Sequence, residues 1–486
     1  MANDTNIFPG LIAHCKEYGY IFQSSEIYDG LAAVYDYGQN GAQLKKNIRD
    51  YWWKSMTQLH DNIVGIDAAI FMHPTVWKAS GHIDNFSDPM IDNKDSNKRY
   101  RVDHLLEGYA EEQRANGNTQ KANEVLDVMD QLLAVNDYNG LKKLIEENKI
   151  KCPVSKTGNW TEIREFNLMF STQIGSVAEE TDTIYLRPET AQGIFVNFLN
   201  VQKTGRMKIP FGIAQTGKAF RNEIVARQFI FRMREFEQME MQYFIRPGTQ
   251  MEWYNYWKTE RKKWHESLGI PAEKLRFHDH VKLAHYADAA LDIEFEFPFG
   301  WKELEGIHSR TDFDLKQHEK FSKKKIQYFD NDLKEDGKPY GNYIPYVVET
   351  SVGLDRLVLT ILSLSYIHEK WNKEDGTEDS RVVLRIPAKI APTKLAILPL
   401  TKKDGLPELA VALMDECKQQ FQCFYEEKDT IGKRYRRMDA IGTPFCVTID
   451  HQTKDDNTVT IRYRDTMVQE RIALADVKKI VLEKIS

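Results

Sequence analysis

The segment from Arg234 to Tyr243 alternates polar and apolar side chains with the period of two that β-strands have. Met239, Met241 and Tyr243 fall on one face, which we expect to pack against helices. The other face carries one aromatic ring among polar groups, namely Arg234, Phe236, Gln238, Glu240 and Gln242. The pattern predicts a strand that buries one face and presents a polar platform with the other. An ordinary solvated charged face is the alternative interpretation.

A second alternating segment predicts an antiparallel hairpin. Residues 291–297 alternate apolar and acidic side chains, and residues 298–300 read Pro-Phe-Gly and turn the chain. The second strand then passes through Glu303 and Glu305, which we expect on the same face. Helices are predicted at 250–270 and 354–370. The body of the chain is therefore predicted to be α+β, with an antiparallel sheet.

The chain is predicted to contain further domains beside this body. After about residue 390, alternating strands and helices predict a small α/β domain with a mostly parallel sheet. Its predicted strands are 395–400, 422–426, 444–449 and 458–464, and its predicted helices are 407–421, 430–440 and 474–485. A polar stretch at 373–380 is predicted to be an exposed linker. The predicted domains are a core from 1–104 and 151–385, a helical insert at 105–150 and a C-terminal domain at 390–486.

Composition excludes several classes of protein. The chain has 486 residues, 42% of them hydrophobic and 28% charged, which excludes a mostly disordered chain. The net charge of −6 excludes a uniformly basic protein that coats nucleic acid, although it allows a local basic patch. Five cysteines without a Cys-x-x-Cys pair favour a reducing compartment. Because neither a signal sequence nor a run of about 18 apolar residues is visible, we expect a cytoplasmic location and no membrane partner.

Two motifs place arginines and carboxylates around predicted turns. The first is Phe220-Arg221-Asn222-Glu223, followed after a loop by Arg234-Glu235-Phe236. The second is Val352-Gly353-Leu354-Asp355-Arg356, which precedes an apolar helix. These strings resemble motifs 2 and 3 of the class II aminoacyl-tRNA synthetases, and residues 72–86, with His73-Pro74, resemble their motif 1 region.

Three further strings narrow the resemblance, which spans nearly the whole chain. They are Arg101-Val102-Asp103-His104-Leu105, Leu186-Arg187-Pro188-Glu189-Thr190-Ala191-Gln192-Gly193-Ile194-Phe195 and Glu349-Thr350-Ser351-Val352-Gly353. They are similar to glycyl-tRNA synthetases of the single-chain, homodimeric type. The resemblance implies a class II antiparallel-sheet catalytic domain with a helical insert and a C-terminal α/β anticodon-binding domain. It also implies a ligase that uses ATP and Mg²⁺ to join glycine to the 3′-terminal adenosine of tRNA(Gly), by way of glycyl-adenylate and pyrophosphate.

The resemblance assigns roles around ATP. Arg221 would hold the α-phosphate and the reacting carboxylate, and Arg356 would lie on the γ-phosphate side. Phe236 would stack under the adenine, Glu223 would contact its amino group, and Glu303 would face ATP and its Mg²⁺. The other residues implied around ATP are Asn222, Phe231, Arg232, Met233, Arg234, Glu235, Leu304, Gly353, Leu354 and Asp355. Without the resemblance, Glu303 is equally well interpreted as a solvated hairpin residue.

Glycine has no side chain to bind, so its selection must rest on excluding anything larger. The resemblance implies that Glu189, Glu240 and Glu349 hold the ammonium and that Ser351 denies room for a β-carbon. Arg101 would complete the pocket once substrate is bound. The other residues implied around glycine are Phe236, Glu237, Gln238, Met239, Thr350, Val352 and Gly353. Taken alone, Glu349 is equally an ordinary strand carboxylate.

The C-terminal domain contains a basic run that resembles part of the anticodon-binding domain of the glycine, histidine, threonine and proline synthetases. Its cations Lys433, Arg434, Arg436 and Arg437 are predicted to contact tRNA, and a solvated helix face is the alternative. Many relatives carry a cysteine cluster where this chain has Cys152 and then Ser155. Because zinc needs about four N or S ligands, we expect no structural zinc there.

Two other functions remain open from sequence. A synthetase-like accessory protein that lost catalysis predicts damage to the motif arginines, which are all present in this chain. A synthetase for another amino acid predicts a roomier and less acidic pocket, which the three glutamates and Ser351 argue against.

Overall fold

The computed structural model describes residues 7–175, 182–223, 228–280, 283, 287–334, 336–372 and 376–485. The chain forms two compact units. The first unit contains Met1–Ala69, Glu189–Ala219 and Gln228–Ser486, and the second contains Ile70–Pro188 and Phe220–Arg227. The predicted domain boundaries near 104 and 150 fall inside the second unit, so those boundaries stay a prediction.

The described residues include the following α-helices. They are α1 (Ile7–Glu17), α2 (Gln39–Thr57), α3 (Pro74–Ala79), α4 (His82–Asn85), α5 (Val102–Ala115), α6 (Thr119–Ala134), α7 (Tyr138–Glu147), α8 (Ala191–Thr204), α9 (Gln250–Ser267), α10 (Phe313–Ser322), α11 (Leu354–Ser365), α12 (Leu406–Cys417), α13 (Ile431–Ala440), α14 (His451–Asp456) and α15 (Val477–Ile485).

The strands of the described residues are β1 (Ile21–Gln23), β2 (Tyr35–Tyr37), β3 (Ile63–Gly65), β4 (Ser87–Asn93), β5 (Lys98–Arg101), β6 (Arg164–Asn167), β7 (Ser171–Ile174), β8 (Asp182–Tyr185), β9 (Phe211–Phe220), β10 (Glu235–Ile245), β11 (Leu275–Asp279), β12 (Ala289–Phe297), β13 (Gly300–Thr311), β14 (Tyr328–Leu333), β15 (Pro339–Tyr343), β16 (Tyr346–Gly353), β17 (Tyr366–Asn372), β18 (Glu378–Leu384), β19 (Leu395–Pro399), β20 (Cys423–Tyr425), β21 (Phe445–Ile449), β22 (Thr458–Tyr463) and β23 (Gln469–Ala473).

A seven-stranded sheet forms the centre of the first unit, with the order β11-β12-β13-β16-β10-β9-β3. Strands β11, β12, β13, β16 and β10 pair antiparallel, whereas β3 pairs parallel to β9. The predicted hairpin is confirmed as β12 and β13. The class prediction of an α+β body with a largely antiparallel sheet is confirmed.

One face of this sheet is buried against α2, α9 and α11, as the alternation along β10 predicts. Met239, Met241 and Tyr243 lie in the core, each nearly or wholly buried. Their neighbours Gln238, Glu240 and Gln242 point to the opposite face because successive strand side chains alternate. Helices α8 and α10 cover one end of that opposite face through apolar contacts that include Phe244 and Val347.

The C-terminal segment folds around a second sheet with the order β20-β19-β21-β22-β23. Strands β20, β19 and β21 pair parallel, and β22 and β23 pair antiparallel. The sheet is therefore mixed rather than mostly parallel, because β21, β22 and β23 follow one another through short connections. Leu395, Val447 and Val481 belong to its separate hydrophobic core.

The second unit contains the predicted helical insert. Helices α5, α6 and α7 bury a common core that includes Leu106, Met129 and Ile145. The apolar spacing that predicted helices at 105–150 is thus confirmed. A three-stranded sheet of order β5-β4-β6 completes this part of the unit.

Two local predictions are wrong. The predicted helix 354–370 ends at Ser365, because Tyr366–Asn372 pairs antiparallel with Glu378–Leu384 instead. The strand Glu378–Leu384 also includes the end of the predicted linker 373–380. Residues 373–375 of that linker lie outside the described residues. Among the described residues, no helix is both long and apolar enough to cross a membrane.

Candidate active site

The polar face of the central sheet brings three strands into register in the first unit. Glu240 on β10 lies opposite Ser351 on β16, and Gln242 lies opposite Glu349. On the other side of β16, Ser351 lies opposite Gly306 and Glu349 lies opposite His308. Because directly paired residues share a face, these side chains line one surface of the sheet.

Glu240 is a buried carboxylate with its hydrogen bonds supplied by neighbours. It accepts hydrogen bonds from Thr190, from Ser351 Oγ at 2.7 Å and from Gln238 Nε2 at 3.1 Å. Burial, reinforced by the charges of Glu349 and Glu189, raises the pKa of Glu240 to about 7. This carboxyl is therefore poised to gain or lose its charge near neutral pH.

Glu349, in contrast to Glu240, has a lowered pKa. Burial alone disfavours its charge, but Arg310 and His308 outweigh burial and lower the pKa of Glu349 to about 2. His308 Nδ1 lies 2.8 Å from Oε1, and Gln242 Nε2 donates to Oε2 at 2.6 Å. Arg310 Nη1 lies 3.2 Å from Oε2. Glu349 therefore stays ionised, so the alternative of an ordinary surface carboxylate is excluded by its burial and partners.

Glu189 joins these two carboxylates through a polar network at α8 and α10. Gln192 Nε2 donates to Glu189 Oε1 at 3.1 Å and to Asp314 Oδ1 at 3.0 Å. The charge of Glu189 raises the pKa of Glu240 and opposes the lowering at Glu349. The structure thus brings together the three predicted carboxylates and Ser351.

The sequence interpretation missed Arg310, which bridges Glu349 and Asp314. Its Nε donates to Asp314 Oδ2 at 2.9 Å, and the side chain is buried. Arg310 follows Gly306 and His308 at a spacing of two along β13, so continued alternation along the strand was the signal that could have found it. Two further acceptors, Gln238 Oε1 and Gln242 Oε1, are buried and have no hydrogen-bond partner within the described residues.

Arg356 and Glu303 form a second polar cluster in the first unit. Arg356 Nη1 lies 2.9 Å from Glu303 Oε2, and its guanidinium lies 4.4 Å from the centre of the Phe231 ring. Glu303 keeps 48% of its side chain exposed. Arg356 of the motif 3 string and Glu303 of the hairpin are thus in contact, and the Glu303 carboxylate is open to solvent.

The expectation that Glu303 and Glu305 share a face is wrong. A register shift between Ile293 and Glu294 pairs Glu305 with Ile293 but Glu303 with Glu294. Glu305 is wholly buried and accepts hydrogen bonds from Arg261 Nε at 2.6 Å, with His265 Nε2 also at 2.6 Å. A β-bulge therefore sends the two glutamates to opposite faces.

Several predicted ligand residues have side chains that lie elsewhere. Met239, Val352, Leu304, Leu354 and Met233 belong to the hydrophobic core, so their side chains do not line the polar face. The buried Glu237 pairs with Lys45 and Arg49 of α2. Strand alternation explains why Glu237 and Met239 face α2 while Gln238 does not.

Asp355 was predicted beside ATP, but its carboxylate is buried among structural partners. Lys45 Nζ lies 2.6 Å from Oδ1, and the backbone N–H of Glu237 donates to Oδ2 at 2.7 Å. Tyr37 also donates to this carboxylate. These contacts tie α11 to α2 and β10, and the predicted place of Asp355 beside ATP stays a prediction.

The remaining motif 2 residues of the first unit flank the polar face. Phe236 is partly buried against the core, and Glu235 pairs with Lys218 at 2.8 Å. Arg234 Nη1 donates to Ala32 O at 3.2 Å, and Arg232 ends a short 3₁₀ helix, Phe229–Phe231. Thr350 is buried on β16 and Gly353 ends that strand. The predicted substrate contacts stay predictions for all six of these residues, namely Phe236, Glu235, Arg234, Arg232, Thr350 and Gly353.

The second unit contains the other predicted site residues. Arg221 Nε donates to Pro188 O at 3.1 Å, and its guanidinium lies 5.6 Å from the Phe86 ring. Asn222 and Glu223 follow it, and the N–H of Asn222 donates to Leu168 O at 2.8 Å. Arg101 pairs with Asp88 at 3.1 Å and Asp103 at 2.6 Å. The predicted contacts of these residues with substrate stay predictions.

The four cations of the basic run lie on α13 and differ in how far they are buried. Arg434 is buried and donates to Pro399 O at 2.7 Å and Glu426 O at 2.9 Å, and its predicted contact with tRNA stays a prediction. Lys433 is exposed, whereas Arg436 pairs with Asp379 and Arg437 with Glu426. Arg434 thus ties α13 to the rest of the domain, whereas Lys433, Arg436 and Arg437 lie nearer the surface.

Cys152 is a buried thiol in the second unit. Ser96 Oγ lies 3.3 Å and Tyr100 OH 3.2 Å from its sulfur. Burial opposes its ionisation, but hydrogen bonds from Ser155, Ser96 and Tyr100 outweigh burial and lower the pKa of Cys152 to about 6. Ser155, at the expected second thiol position, donates to Asn93.

Comparisons with known families match this architecture part by part. Residues 170–365 match the tRNA synthetase class II core domain (G, H, P, S and T), and residues 394–484 match the anticodon binding domain. Residues 88–125 and 110–168 match the glycyl-tRNA synthetase insertion domain 1. The chain is therefore a class II aminoacyl-tRNA synthetase.

Curated relatives define the family more narrowly. The glycine–tRNA ligase of Chlorobaculum tepidum is 52% identical over 478 residues, which cover 98% of this chain and 99% of that protein. That of Treponema denticola is 49% identical, covering 95% and 93%. That of Staphylococcus aureus is 48% identical, covering 98% of each. The chain belongs to the glycine–tRNA ligase family.

Proposed function

We propose that this chain activates glycine with ATP and transfers it to the 3′-terminal adenosine of tRNA(Gly). The observation that carries the proposal is the set of three carboxylates, Glu189, Glu240 and Glu349, gathered beside Ser351 on one face of the sheet. Arg310 and His308 offset part of this negative charge, and a bound cation would offset more of it. Because the chain belongs to the glycine–tRNA ligase family, we assign this cation as the ammonium of glycine.

The glycine pocket works by charge and by size. Glu349 stays ionised through Arg310 and His308, so it offers a fixed negative charge to the ammonium. Glu240 and the free acceptor Gln238 Oε1 offer further hydrogen bonds. Ser351 Oγ is held on Glu240 Oε1 at 2.7 Å, which fixes the side chain next to the place of a β-carbon. Larger amino acids are therefore rejected by contact.

Adenylate formation needs charge stabilisation more than proton transfer. The glycine carboxylate is already an anion, so it attacks the α-phosphate of ATP without a general base, and pyrophosphate leaves. Arg221 would hold the α-phosphate and the reacting carboxylate. Arg356 would turn from Glu303 to the γ-phosphate, since a phosphate competes strongly for a guanidinium. Phe236 would stack under the adenine and Glu223 would contact its amino group.

Mg²⁺ fits the residues next to Arg356. Glu303 is a half-exposed carboxylate on the polar side of the hairpin, the oxygen ligand type that Mg²⁺ takes together with substrate phosphates. A bound Mg²⁺ would neutralise the charge of the polyphosphate. Glu303 would then exchange its ion pair with Arg356 for the metal as Arg356 moves to phosphate.

The second step needs tRNA. The 3′-terminal ribose hydroxyl attacks the glycyl-adenylate carbonyl, forming the glycyl ester and releasing AMP. Lys433, Arg436 and Arg437 would contact the anticodon arm from the surface of α13. We further propose the homodimer that the motif 1 resemblance implies.

Removing the β-carbon of Ser351 should relax the choice of amino acid. With Ser351→Gly, the pocket gains room for one methyl group, and we expect the alanine-to-glycine ratio of kcat/KM to rise about 10-fold or more. Ser351→Ala is the control, because it removes the hydroxyl but keeps the β-carbon. The ratio is measured by ATP–pyrophosphate exchange. An equal ratio in Ser351→Gly and the parent would refute this role of Ser351.

The pKa of Glu240 predicts the pH dependence of glycine binding. Above pH 7 Glu240 is charged and attracts the ammonium, and below pH 7 it gains a proton and loses that attraction. A group with a pKa of about 7 is about tenfold less ionised at pH 6 than at pH 8. We therefore expect the KM for glycine to rise about tenfold when the pH falls from 8 to 6. Glu240→Gln should flatten this dependence. A KM that stays level in the parent would contradict the assignment.

The proposal as a whole is tested by aminoacylation. The purified chain is incubated with ATP, Mg²⁺, labelled glycine and a tRNA(Gly) transcript, and acid-precipitable label is counted. We expect label on tRNA(Gly), removed by mild base because an ester is formed, and none on a tRNA(Ala) transcript. A chain that binds tRNA but transfers no glycine would favour the accessory-protein alternative.

A further inference from the structure

A group of metal-ligand side chains lies on the same sheet as Ser351. His308 is on β13, next to the strand of Ser351, Asp292 is on the following strand β12, and His280 comes directly after β11. Ligand atoms of His280, Asp292 and His308 all lie within 4.8 Å of one another. His280 Nε2 is 2.9 Å from Asp292 Oδ2, and His308 stands on β13 two residues after Gly306. The three side chains are partly buried, so they combine restricted motion with access from solvent.

The contact of His308 with Glu349 occupies only one of its two ring nitrogens. His308 Nδ1 lies 2.8 Å from Glu349 Oε1, and a carboxylate only accepts, so Nδ1 carries a proton and Nε2 is the ring nitrogen left for a metal ion. A β-carbon built on Gly306 would lie 3.2 Å from His308 Nε2 and 3.7 Å from Asp292 Oδ1. His308 Nε2 and Asp292 Oδ1 therefore both face the position above Gly306, where the absence of a side chain makes room for the His308 ring.

We propose that His280, Asp292 and His308 bind a divalent ion of the zinc class, with a fourth coordination position left open. Two imidazoles and one carboxylate suit Zn²⁺, whereas Mg²⁺ prefers oxygen ligands alone. Zinc ligands at about 2.0–2.1 Å from the ion stand roughly 3.3 Å apart, so the widest ligand separation would shorten by up to about 1.5 Å on binding. The hydrogen bond from His308 to Glu349 is the carboxylate–histidine arrangement that orients zinc-bound histidines.

The site uses ligands other than Glu303, the residue expected to face the Mg²⁺ of ATP, and it is linked to the glycine pocket. His308 contacts both the ion and Glu349, and Arg310 holds Glu349 from its other side. An ion on Nε2 fixes the His308 ring and strengthens its Nδ1–H as a donor. Zinc therefore acts on Glu349 as a positioning group and does not enter the phosphate chemistry.

Metal binding is measured directly on the full chain, without ATP, glycine or tRNA, so the result is independent of the proposed function. The chain is stripped with a chelator, and Zn²⁺ is titrated against a chromophoric competitor in the presence of millimolar Mg²⁺. We expect one tight Zn²⁺ per chain, weakened at least tenfold in His280→Ala and in Asp292→Asn. Co²⁺ should give visible absorption without the thiolate-to-cobalt band that a cysteine ligand produces.

Two variants make the test specific. His278→Ala removes a neighbouring histidine that is 57% exposed and outside the group, and it should bind zinc like the parent. Cys152→Ser removes a thiol whose hydrogen bonds favour the thiolate, an alternative ligand for a soft metal, and should also leave binding unchanged. Melting curves of the stripped variants confirm folding. Absence of stoichiometric zinc binding, or equal loss in His278→Ala or Cys152→Ser, would overturn the proposal.

Discussion

Replacing Arg356 by alanine is expected to lower kcat/KM for ATP in glycine-dependent exchange by about 100- to 1,000-fold, the usual effect of removing one preorganised charge donor. Arg356 already has a carboxylate and a ring beside it, Glu303 at 2.9 Å and Phe231 at 4.4 Å. These contacts hold the guanidinium ready for a phosphate. The KM for glycine should change little, because the three carboxylates of its pocket are untouched.

Two controls separate chemistry from folding. Arg246→Ala removes an arginine with similar contacts, Asp330 at 2.7 Å and the Tyr340 ring at 4.3 Å, and should retain activity within about twofold. Arg356→Lys keeps the charge but loses the planar donor fork, so its activity should fall between parent and alanine variant. Near-normal exchange by a folded Arg356→Ala chain would remove Arg356 from the mechanism.

Replacing Arg261 by alanine is expected to destabilise the first unit by about 3–5 kcal/mol, the effect of breaking a buried ion pair. Arg261 and Glu305 are each nearly or wholly buried, and Arg261 Nε donates to Glu305 Oε1 at 2.6 Å. Burial opposes the charge of Glu305, but Arg261 and His265 outweigh burial and lower the pKa of Glu305. Without Arg261, the core contains a poorly compensated carboxylate.

Thermal unfolding of the variant measures this loss. The matched control is Lys263→Ala on the same helix. Lys263 is 64% exposed, so its pair with Glu260 is screened by solvent and should contribute little. Adding Glu305→Gln to Arg261→Ala should recover part of the melting temperature, because it removes the unpaired charge. A melting temperature for Arg261→Ala equal to that of Lys263→Ala would show that the pair contributes little.

Alternation along single strands was readable from sequence, and it predicted much of the site. The period of two separated Met239 and Met241 from Gln238 and Glu240. The structure confirms that division, since the two methionines lie in the hydrophobic core and the two polar side chains hydrogen-bond to each other on the other face. The same rule puts Arg310 on the face of His308, and Arg310 does contact Glu349, although a register shift between Ser309 and Thr311 interrupts the pairing there. Local periodicity thus reveals which residues share a face whenever the strand is regular.

Irregular pairing and long-range partners could not be read in this way. The bulge that separates Glu303 from Glu305 depends on how β12 and β13 meet, which their own sequences do not specify. Arg434 looked like its exposed neighbours in the basic run, but it donates to the backbone of Pro399 and Glu426. Asp355 likewise pairs with Lys45, which lies 310 residues away in the chain.

The most direct test of the central claim is amino-acid-dependent ATP–pyrophosphate exchange without tRNA, run with Mg²⁺ over glycine, alanine, serine, threonine, proline and histidine. The glycine pocket built from Glu189, Glu240, Glu349 and Ser351 predicts exchange with glycine and only background exchange with the other five. Exchange led by a different amino acid would keep the class II chemistry but contradict the roles given to these four residues.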